Sequence, residues 1–451
     1  MAELSNLESR IAAGEVDTVI VAFPDLQGRP VGKRVDPGFY LDHVAAHGIE
    51  ACDYLLGVDV DMEPLPGYTF ANWEQGYGDV VAIPDHATAR MVPWVPGSAF
   101  VVCDVYGQDG KPVAVSPRQV LRRQIERARE RGFEVHAATE LEFYLFEESF
   151  EEAAAQRWSG MTPLSSTIED YQLLQTAREE FILRRIRTEM PGADIPIEFS
   201  KGEAGRGQHE VNVTYADALT TCDRHLLFKQ GIKEIAQQEG RSATFMAKWT
   251  MEDSGSSCHL HTSAWDVETG AALIPGDGPL GLSTFGQRFL AGQLRAAREL
   301  AWCWAPYVNS YKRFVPGSWA PTAIPYGDDN RTCGFRIVGH GSARRIENRV
   351  PGADVNPYLA LAASIAAGIY GIDHELELEE PFVGNAYTND SVPRIPWMLP
   401  EAIDQLRGSP VAAEAFGPDV HHHLLNTAVQ EWRKANAVVT DFELARNFER
   451  I

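Results

Sequence analysis

The sequence predicts a two-domain protein of mixed helix and strand: a small amino-terminal α+β module, residues 1–110, and a large unit, residues 111–451, in which strand-like and helical stretches succeed one another as in an α/β unit. Three observations carry this. A chain of 451 residues exceeds what one small core organises. A hydrophobic share of 44% and a charged share of 23% belong to a chain that buries a core, which excludes disorder, collagen-like repeats and a disulfide-stapled miniprotein. The turn-rich Gly107-Gln108-Asp109-Gly110 then interrupts the hydrophobic pattern, and Ser116-Pro117 opens a new helix just beyond it.

In chain order, Leu4, Leu7 and Ile11 share a helical face, so the module begins with a short helix. The β-rich run Asp17–Phe23 follows and ends at the turn Asp25-Leu26-Gln27-Gly28, with further strands over Asp79–Asp85 and Ala99–Tyr106. In the large unit, Val120, Leu121 and Ile125 form one face of a helix that Gly132 stops. Helical patterns recur near residues 171–190, 223–239, 284–304 and 354–375, with strand-like runs between them. The longest apolar segment, Leu359–Ile372, falls short of the roughly 20 residues that span a bilayer, so it is expected to be a buried helix.

A net charge of -23 repels nucleic acid and anionic membranes, and neither is an expected partner. The six cysteines have no C-x-x-C spacing, and the opening MAELSNLESR has no basic start or apolar run; reduced thiols and a cytoplasmic location are expected.

Four strand-like runs carry metal- or anion-binding residues at period two, which puts each set on one face of a sheet. Glu140 and Glu142 form one set, His259 and His261 another, Glu210 with Asn212 a third, and Arg345, Glu347 and Arg349 a fourth. For any one strand alone, the wet face of an antiparallel sheet is the simpler account. Composition argues otherwise, because a wet face mixes Lys, Thr, Ser and Gln, whereas these positions are nearly all Glu, His and Arg. If the four faces converge, their charges need a divalent cation, and carboxylate-rich ligation suits Mg2+ or Mn2+ better than Zn2+.

Basic residues supply the complement. Lys312, Arg313, Arg331, Arg336, Arg344, Arg345 and Arg349 crowd one stretch of an acidic chain, and guanidinium forks hold carboxylate and phosphate oxygens in pairs. Acidic ligands for metal beside basic ligands for anions is the equipment of phosphoryl transfer from a metal-bound nucleotide. No phosphate-binding G-x-x-x-x-G-K-[ST] accompanies it, and no dinucleotide G-x-G-x-x-G directly between a strand and a helix; Gly202, Gly205 and Gly207 read only as a loop. His421, His422 and His423 are adjacent on a helical segment and do not share a face, so they are expected on the surface, facing a partner. Trp94, Trp302, Trp304 and Trp319 read as core or subunit contacts rather than a cofactor cage.

These motifs resemble the glutamine synthetases, ATP-dependent γ-glutamyl ligases. TELEF, KGEAGRGQHE, FMAKW followed by SGSSCHLH, NSYKRFVPGSWAP, DDNRTCGFRI and RRIENRVPGADVNPYLALAA occur in the family's order and approximate spacing, over nearly the whole chain. The resemblance implies an α+β glutamine synthetase fold: a small β-grasp-like amino-terminal domain and a large catalytic domain with a curved antiparallel β-sheet. It also implies self-association into rings, commonly two stacked hexamers making a dodecamer, in which a neighbour's amino-terminal domain completes each site. Carried over residue by residue, Glu142, Glu203 and Glu210 would hold the metal nearest glutamate, and Glu140, His259 and Glu347 the metal on the ATP phosphates, two Mg2+ or Mn2+ ions per site. Gly255, Arg313 and Arg349 match glutamate-binding residues, and Arg331 the arginine that faces the transferring phosphoryl group. Glu198, His261, Ser263, Arg336 and Arg345 match ATP contacts. The implied cofactors are therefore ATP with Mg2+ or Mn2+.

The acceptor side departs from the family pattern. Ammonia-using members carry a flap glutamate in V-P-G-Y-E-A-P, where this chain reads Val315-Pro316-Gly317-Ser318-Trp319-Ala320-Pro321. The F-D-G-S-S signature is replaced by Cys52-Asp53-Tyr54-Leu55-Leu56, leaving Asp53 as the ammonium-site aspartate and Asp79 as a second one. Ser254 stands where an asparagine is expected before Gly255. An indole cannot act as a base, but it offers an apolar wall and cation–π attraction to a larger amine. The expected reaction joins glutamate to a small primary amine, ethanolamine first and a polyamine second, most like the γ-glutamylethanolamide and γ-glutamylpolyamine synthetase branches of actinobacterial type. The alternatives are a glutamine synthetase using ammonia and an inactive structural or regulatory ring.

Overall fold

The computed structural model describes residues 2–451 and, apart from Ala2, Glu3 and Gln175, their side chains. Two sheets organise them. The smaller contains β1 (Thr18–Pro24), β2 (Pro30–Val35), β3 (Ile49–Cys52), β4 (Asp79–Pro84), β5 (Arg90–Met91) and β6 (Ser98–Gly107), in the order β2-β1-β6-β4-β3 with β5 beside β6. Its central pair, β1 and β6, is parallel, and its other pairs are antiparallel. Val19, Val21, Phe23, Val101 and Val105 are buried along that pair, which is why the two runs read as continuous apolar stretches.

The larger sheet contains β7 (Phe133–Phe146), β8 (Ile197–Gly202), β9 (Gln208–Val213), β10 (Ala216–Asp217), β11 (Ser242–Thr244), β12 (Cys258–Asp266), β13 (Tyr326–Asp328), β14 (Phe335–Val338) and β15 (Arg345–Asn348). The order is β13-β14-β15-β12-β7-β9-β8, with β10 and β11 also on β7. Every pair but β13–β14 is antiparallel, so the alternation of strands and helices that suggested an α/β unit does not build a parallel sheet. Helices pack on one another instead of bridging parallel neighbours: Pro357–Asp373 lies against Thr284–Ala296 and Pro117–Arg129. The first of these crossings depends on glycines. A Cβ at Gly292 would lie 2.0 Å from the carbonyl oxygen of Ala367, and one at Gly371 would lie 2.1 Å from that of Arg288.

The apolar run ending at Ile372 is the buried helix its composition suggests, and among the described residues no helix is long and apolar enough to cross a membrane. Two expected helices are broken. The 171–190 pattern gives Leu173–Thr176 and Glu180–Glu189, and the 284–304 pattern gives Thr284–Ala296 and Ala301–Trp304. Trp94, Trp302 and Trp304 are core residues, with the Trp304 indole donating to the Ala360 carbonyl at 3.0 Å, whereas Trp319 is 60% exposed. The histidine run is not a surface feature throughout: His423 is buried, with its Nε2 2.7 Å from the Leu56 carbonyl, because the helix turns that residue toward the short turn Asp53–Leu56 that follows β3. None of the six cysteines is disulfide-bonded.

A buried charge cluster joins the small sheet to the helices beside it. Arg118, on the helix that follows the small sheet, is 0% exposed and pairs at 2.8 Å with Asp85 and Asp104 from the small sheet's side and with Asp223 from the helix Ala218–Gln238. Tyr358 donates to Asp223 at 2.7 Å. Arg122 would still pair with Asp85 and Asp104, but removing the Arg118 guanidinium would leave the buried Asp223 without a counter-charge, which costs about 3–5 kcal/mol. Arg118→Ala should therefore lower the urea midpoint of unfolding by that equivalent, and an unchanged midpoint would show that the cluster does not hold the small sheet to those helices.

Candidate active site

Cross-strand register brings the polar faces together. On β7, Glu140 lies opposite His259 of β12 and Glu142 lies opposite Glu210 of β9; on β15, Glu347 lies opposite both His261 of β12 and Arg336 of β14. Period two keeps each set on one face, and the antiparallel pairing of β14, β15, β12, β7 and β9 converts local spacing into a contiguous acidic patch. It lines a cavity of about 520 Å³ whose walls include Glu140, Glu142, Glu203, Glu210, His259 and Gln208.

Two sets of three ligand atoms lie within 4.8 Å of one another and could hold metal ions: Glu140 with His259 and Glu347, and Glu140 with Glu142 and Glu210. Glu140 belongs to both. Glu203 lines the same cavity, but its carboxylate is paired with the Lys201 ammonium and accepts from the Ala204 amide at 3.1 Å. The six expected metal ligands are thus gathered in one region, five of them in the two close sets.

Burial sets the electrostatics of this patch. Glu142 accepts from the Ser257 hydroxyl at 2.5 Å, the Ser257 amide at 2.9 Å and the Gln208 side chain at 3.0 Å, yet desolvation and the nearby Glu203 charge push its pKa up to about 7. Desolvation and the Glu140 charge push Glu210 up to about 9. Glu347 goes the other way: although burial alone would raise it, the Arg349 guanidinium at 2.5 Å draws it down to about 2, with Arg336 at 2.8 Å on its other oxygen. Burial and then the Arg349 charge push His259 toward its neutral form, the form that ligates metal. Lys201, 3.4 Å from Glu210 and paired with Glu203, is drawn down by burial but held above its usual value by those two carboxylates. The donor set, oxygen-rich with one imidazole and too negative to stay fully ionised alone, fits hard or borderline divalent cations.

Arg313, Arg331, Arg336 and Arg349 line the same cavity. Arg313 is 1% exposed, and its Nη2 donates to the backbone carbonyls of Arg349, Val350 and Pro351. Gly255 is required beneath it, since a Cβ there would fall 2.4 Å from Arg313 Cγ. Ser254, Ser318 and Trp319 complete that end of the wall. Trp319 has φ of 65°, uncommon for a bulky residue, and its carbonyl accepts from Arg349 at 3.4 Å.

On the other side of Glu140 a second cavity of about 430 Å³ is lined by Glu198, His261, Ser263, Arg345 and Tyr215 among others. All the residues expected to contact ATP face it, apart from Arg336, which lines the first cavity. Asp53 and Asp79 line neither cavity within one chain; they sit at the end of the β3–β4 pair, where Asp53 accepts from the Gly78 amide at 2.8 Å. Sequence reasoning missed Lys201, Ser257 and Gln208, and also Asp170, Tyr171 and Phe199 on the cavity wall. For Lys201 a signal existed: it lies two residues before Glu203, at strand spacing.

The glutamine synthetase catalytic-domain family model matches residues 114–447. The chain is 49% identical over 448 residues to a γ-glutamylethanolamide synthetase of Streptomyces coelicolor, covering 99% of this chain and 96% of that one. It is 38% identical over 439 residues to a glutamate–isopropylamine ligase of a Pseudomonas species, covering 97% and 96%. A solved GmaS–ADP complex matches with a TM-score of 0.86 at 28% identity, covering 98% of this chain and 99% of that one.

Carboxylates that hold protons up to about 7 and about 9 in the metal-free protein must release them when a cation binds, because only the ionised form ligates. Adding Mn2+ to chelator-stripped protein near neutral pH should therefore release protons, and apparent affinity should weaken as pH falls below 7 and strengthen as it rises toward 9. Calorimetry in two buffers of different ionisation enthalpy measures this; equal heats in both would contradict it.

Proposed function

This chain belongs to the glutamine synthetase family and is a ligase that forms a C–N bond between glutamate and an amine; on that premise we propose that ATP activates glutamate as γ-glutamyl phosphate and that the acceptor is a small primary amine, ethanolamine before a polyamine. The observation that carries the choice of amine is the wall of the cavity at its acceptor end. Trp319 stands where ammonia-using members place a flap glutamate, and Tyr171 lines the same cavity, with Phe199 between it and the second cavity. Among the described residues lining it, Asp170 is the one carboxylate outside the expected metal ligands. Aromatic faces suit a short alkyl amine with one cationic head, whereas a long polycation calls for successive carboxylates. The 49% identity to a γ-glutamylethanolamide synthetase supports the same choice.

In the proposed reaction Arg313 and Arg349 orient glutamate, with Gly255 leaving room for the Arg313 stem. Its γ-carboxylate attacks the terminal phosphorus of ATP, and ADP leaves. Mg2+ or Mn2+, one ion per carboxylate set, would neutralise the charge of the phosphates when bound. Arg336, held by Glu347 and Asp329, places fixed positive charge on the nucleotide side and needs no reorganisation to do so, and the exposed Arg331 faces the transferring group. Glu198, His261, Ser263 and Arg345 seat the nucleotide in the second cavity. The amine then attacks the acyl phosphate and phosphate leaves. An ammonium is no nucleophile, so a base must first take its proton. We assign that step to Asp53, with Asp79 beside it, delivered by a neighbouring copy in a ring, which accounts for both lying away from the cavities of their own chain.

The test is product identification by mass spectrometry after incubation with ATP, glutamate and, separately, ammonium, ethanolamine, putrescine and spermidine. γ-Glutamylethanolamide should dominate, and glutamine as the main product would overturn the proposal. Trp319→Glu should raise the preference for ammonium over ethanolamine about tenfold, or ~1.4 kcal/mol. An unchanged ratio of kcat/KM values would show that the indole does not select the amine.

A further inference from the structure

Behind the acidic patch lies a second cluster that the reaction above does not use. On β9, Gln208 and Glu210 point into the cavity and His209 points to the opposite face of the sheet, where it meets Glu169 and Glu179. The three residues are 0%, 0% and 1% exposed for His209, Glu169 and Glu179, and one ligand atom from each lies within 4.8 Å of the others. The imidazole Nε2 is 2.5 Å from a Glu179 oxygen and 3.9 Å from a Glu169 oxygen.

Two features set this cluster apart from an ordinary buried ion pair. Neither oxygen of Glu169, neither oxygen of Glu179 and neither ring nitrogen of His209 has a hydrogen-bond partner of normal geometry. A pair of fully desolvated carboxylates in that state is costly unless a charge compensates them. The backbone is also shaped around them: Gly202, opposite His209 in the β8–β9 register, has no room for a side chain, because a Cβ there would meet the Glu169 Cβ at 2.6 Å and a Glu169 carboxylate oxygen at 3.2 Å.

We propose that Glu169, Glu179 and His209 form a third divalent-cation site, structural in role, for a borderline ion such as Mn2+ or Zn2+. What separates this set from Glu140, His259 and Glu347, which has the same donor types but opens onto the cavity, is burial: Mg2+ keeps several waters in its shell, and a fully buried pair of carboxylates with one imidazole suits Mn2+ or Zn2+ better. A cation there would clamp the segment that carries Asp170 and Tyr171 to the back of β9. That segment is already tied to the cavity wall through hydrogen bonds from the Asp170 amide to the Glu203 carbonyl and from the Tyr171 amide to the Gly202 carbonyl. The site would thus hold Glu203, Glu210 and the acceptor wall in register without touching substrate. It stands independently of which amine is used.

The test counts ions on the full chain. Chelator-stripped protein is titrated with Mn2+ alone and, separately, with Zn2+ alone, and bound metal is measured by mass spectrometry of the desalted protein. The wild type should retain one more ion per chain than Glu169→Gln or Glu179→Gln with at least one of the two metals, and should lose more of its melting temperature on chelation than either variant does. Should those variants fail to fold, Glu140→Gln, which cripples both catalytic sets, supplies the second arm: it should still retain one tightly held ion. Equal counts in the wild type and the cluster variants, or no ion on Glu140→Gln, would overturn the proposal and leave a carboxylate pair sharing a proton.

Discussion

The structure turns on an electrostatic debt: one face of a single sheet gathers Glu140, Glu142, Glu210 and Glu347, largely out of water, and that charge must be answered by something. Part of the answer is built in. Arg336 and Arg349 clasp Glu347, which stays ionised, and Lys201 lies against Glu203 and Glu210. The remainder, centred on Glu142 and Glu210, is answered by protons when no cation is present, since burial and neighbouring charge raise both pKa values. A site with that imbalance is poised for divalent cations, and the arginines on its rim extend the positive field to where a polyphosphate would lie.

Much of the scaffold serves to hold this face rigid. The long strand β7 is paired along both edges, by β12 and by β9, so Glu140 and Glu142 cannot move independently of His259 and Glu210. Glycine-permitted close packing between the helices Pro357–Asp373 and Thr284–Ala296 adds a rigid layer. The buried Arg118 cluster fixes the small sheet relative to that layer. Ligand positions must be held within a fraction of an ångström, and elements that are both hydrogen-bonded and close-packed can do that.

Much of the candidate site was legible in the sequence, for a physical reason. Strand spacing alone puts Glu140 with Glu142, and Glu347 between Arg345 and Arg349, on common faces, and the charge on those faces is unusual enough to signal chemistry. What spacing cannot supply is register between strands far apart in sequence. That Glu142 faces Glu210 depends on the β7–β9 pairing, which only the assembled sheet fixes. Alternation of helices and strands likewise said nothing of strand direction, which depends on how helices pack and not on their order. His423 was misplaced because an adjacent run of like residues does not reveal which one the helix turns inward. Glu169 and Glu179 were invisible because they come from irregular chain whose path only the fold determines.

The central claim is that the acidic face and its arginines phosphorylate glutamate before any amine is needed. Positional isotope exchange in ATP carrying a heavy-oxygen label at the bridge between its β- and γ-phosphates measures that step directly. With glutamate and Mg2+ or Mn2+ present and no amine, the label should scramble between bridging and non-bridging positions, and omitting glutamate should abolish the scrambling. Scrambling that needs the amine, or that proceeds equally well without glutamate, would contradict the account.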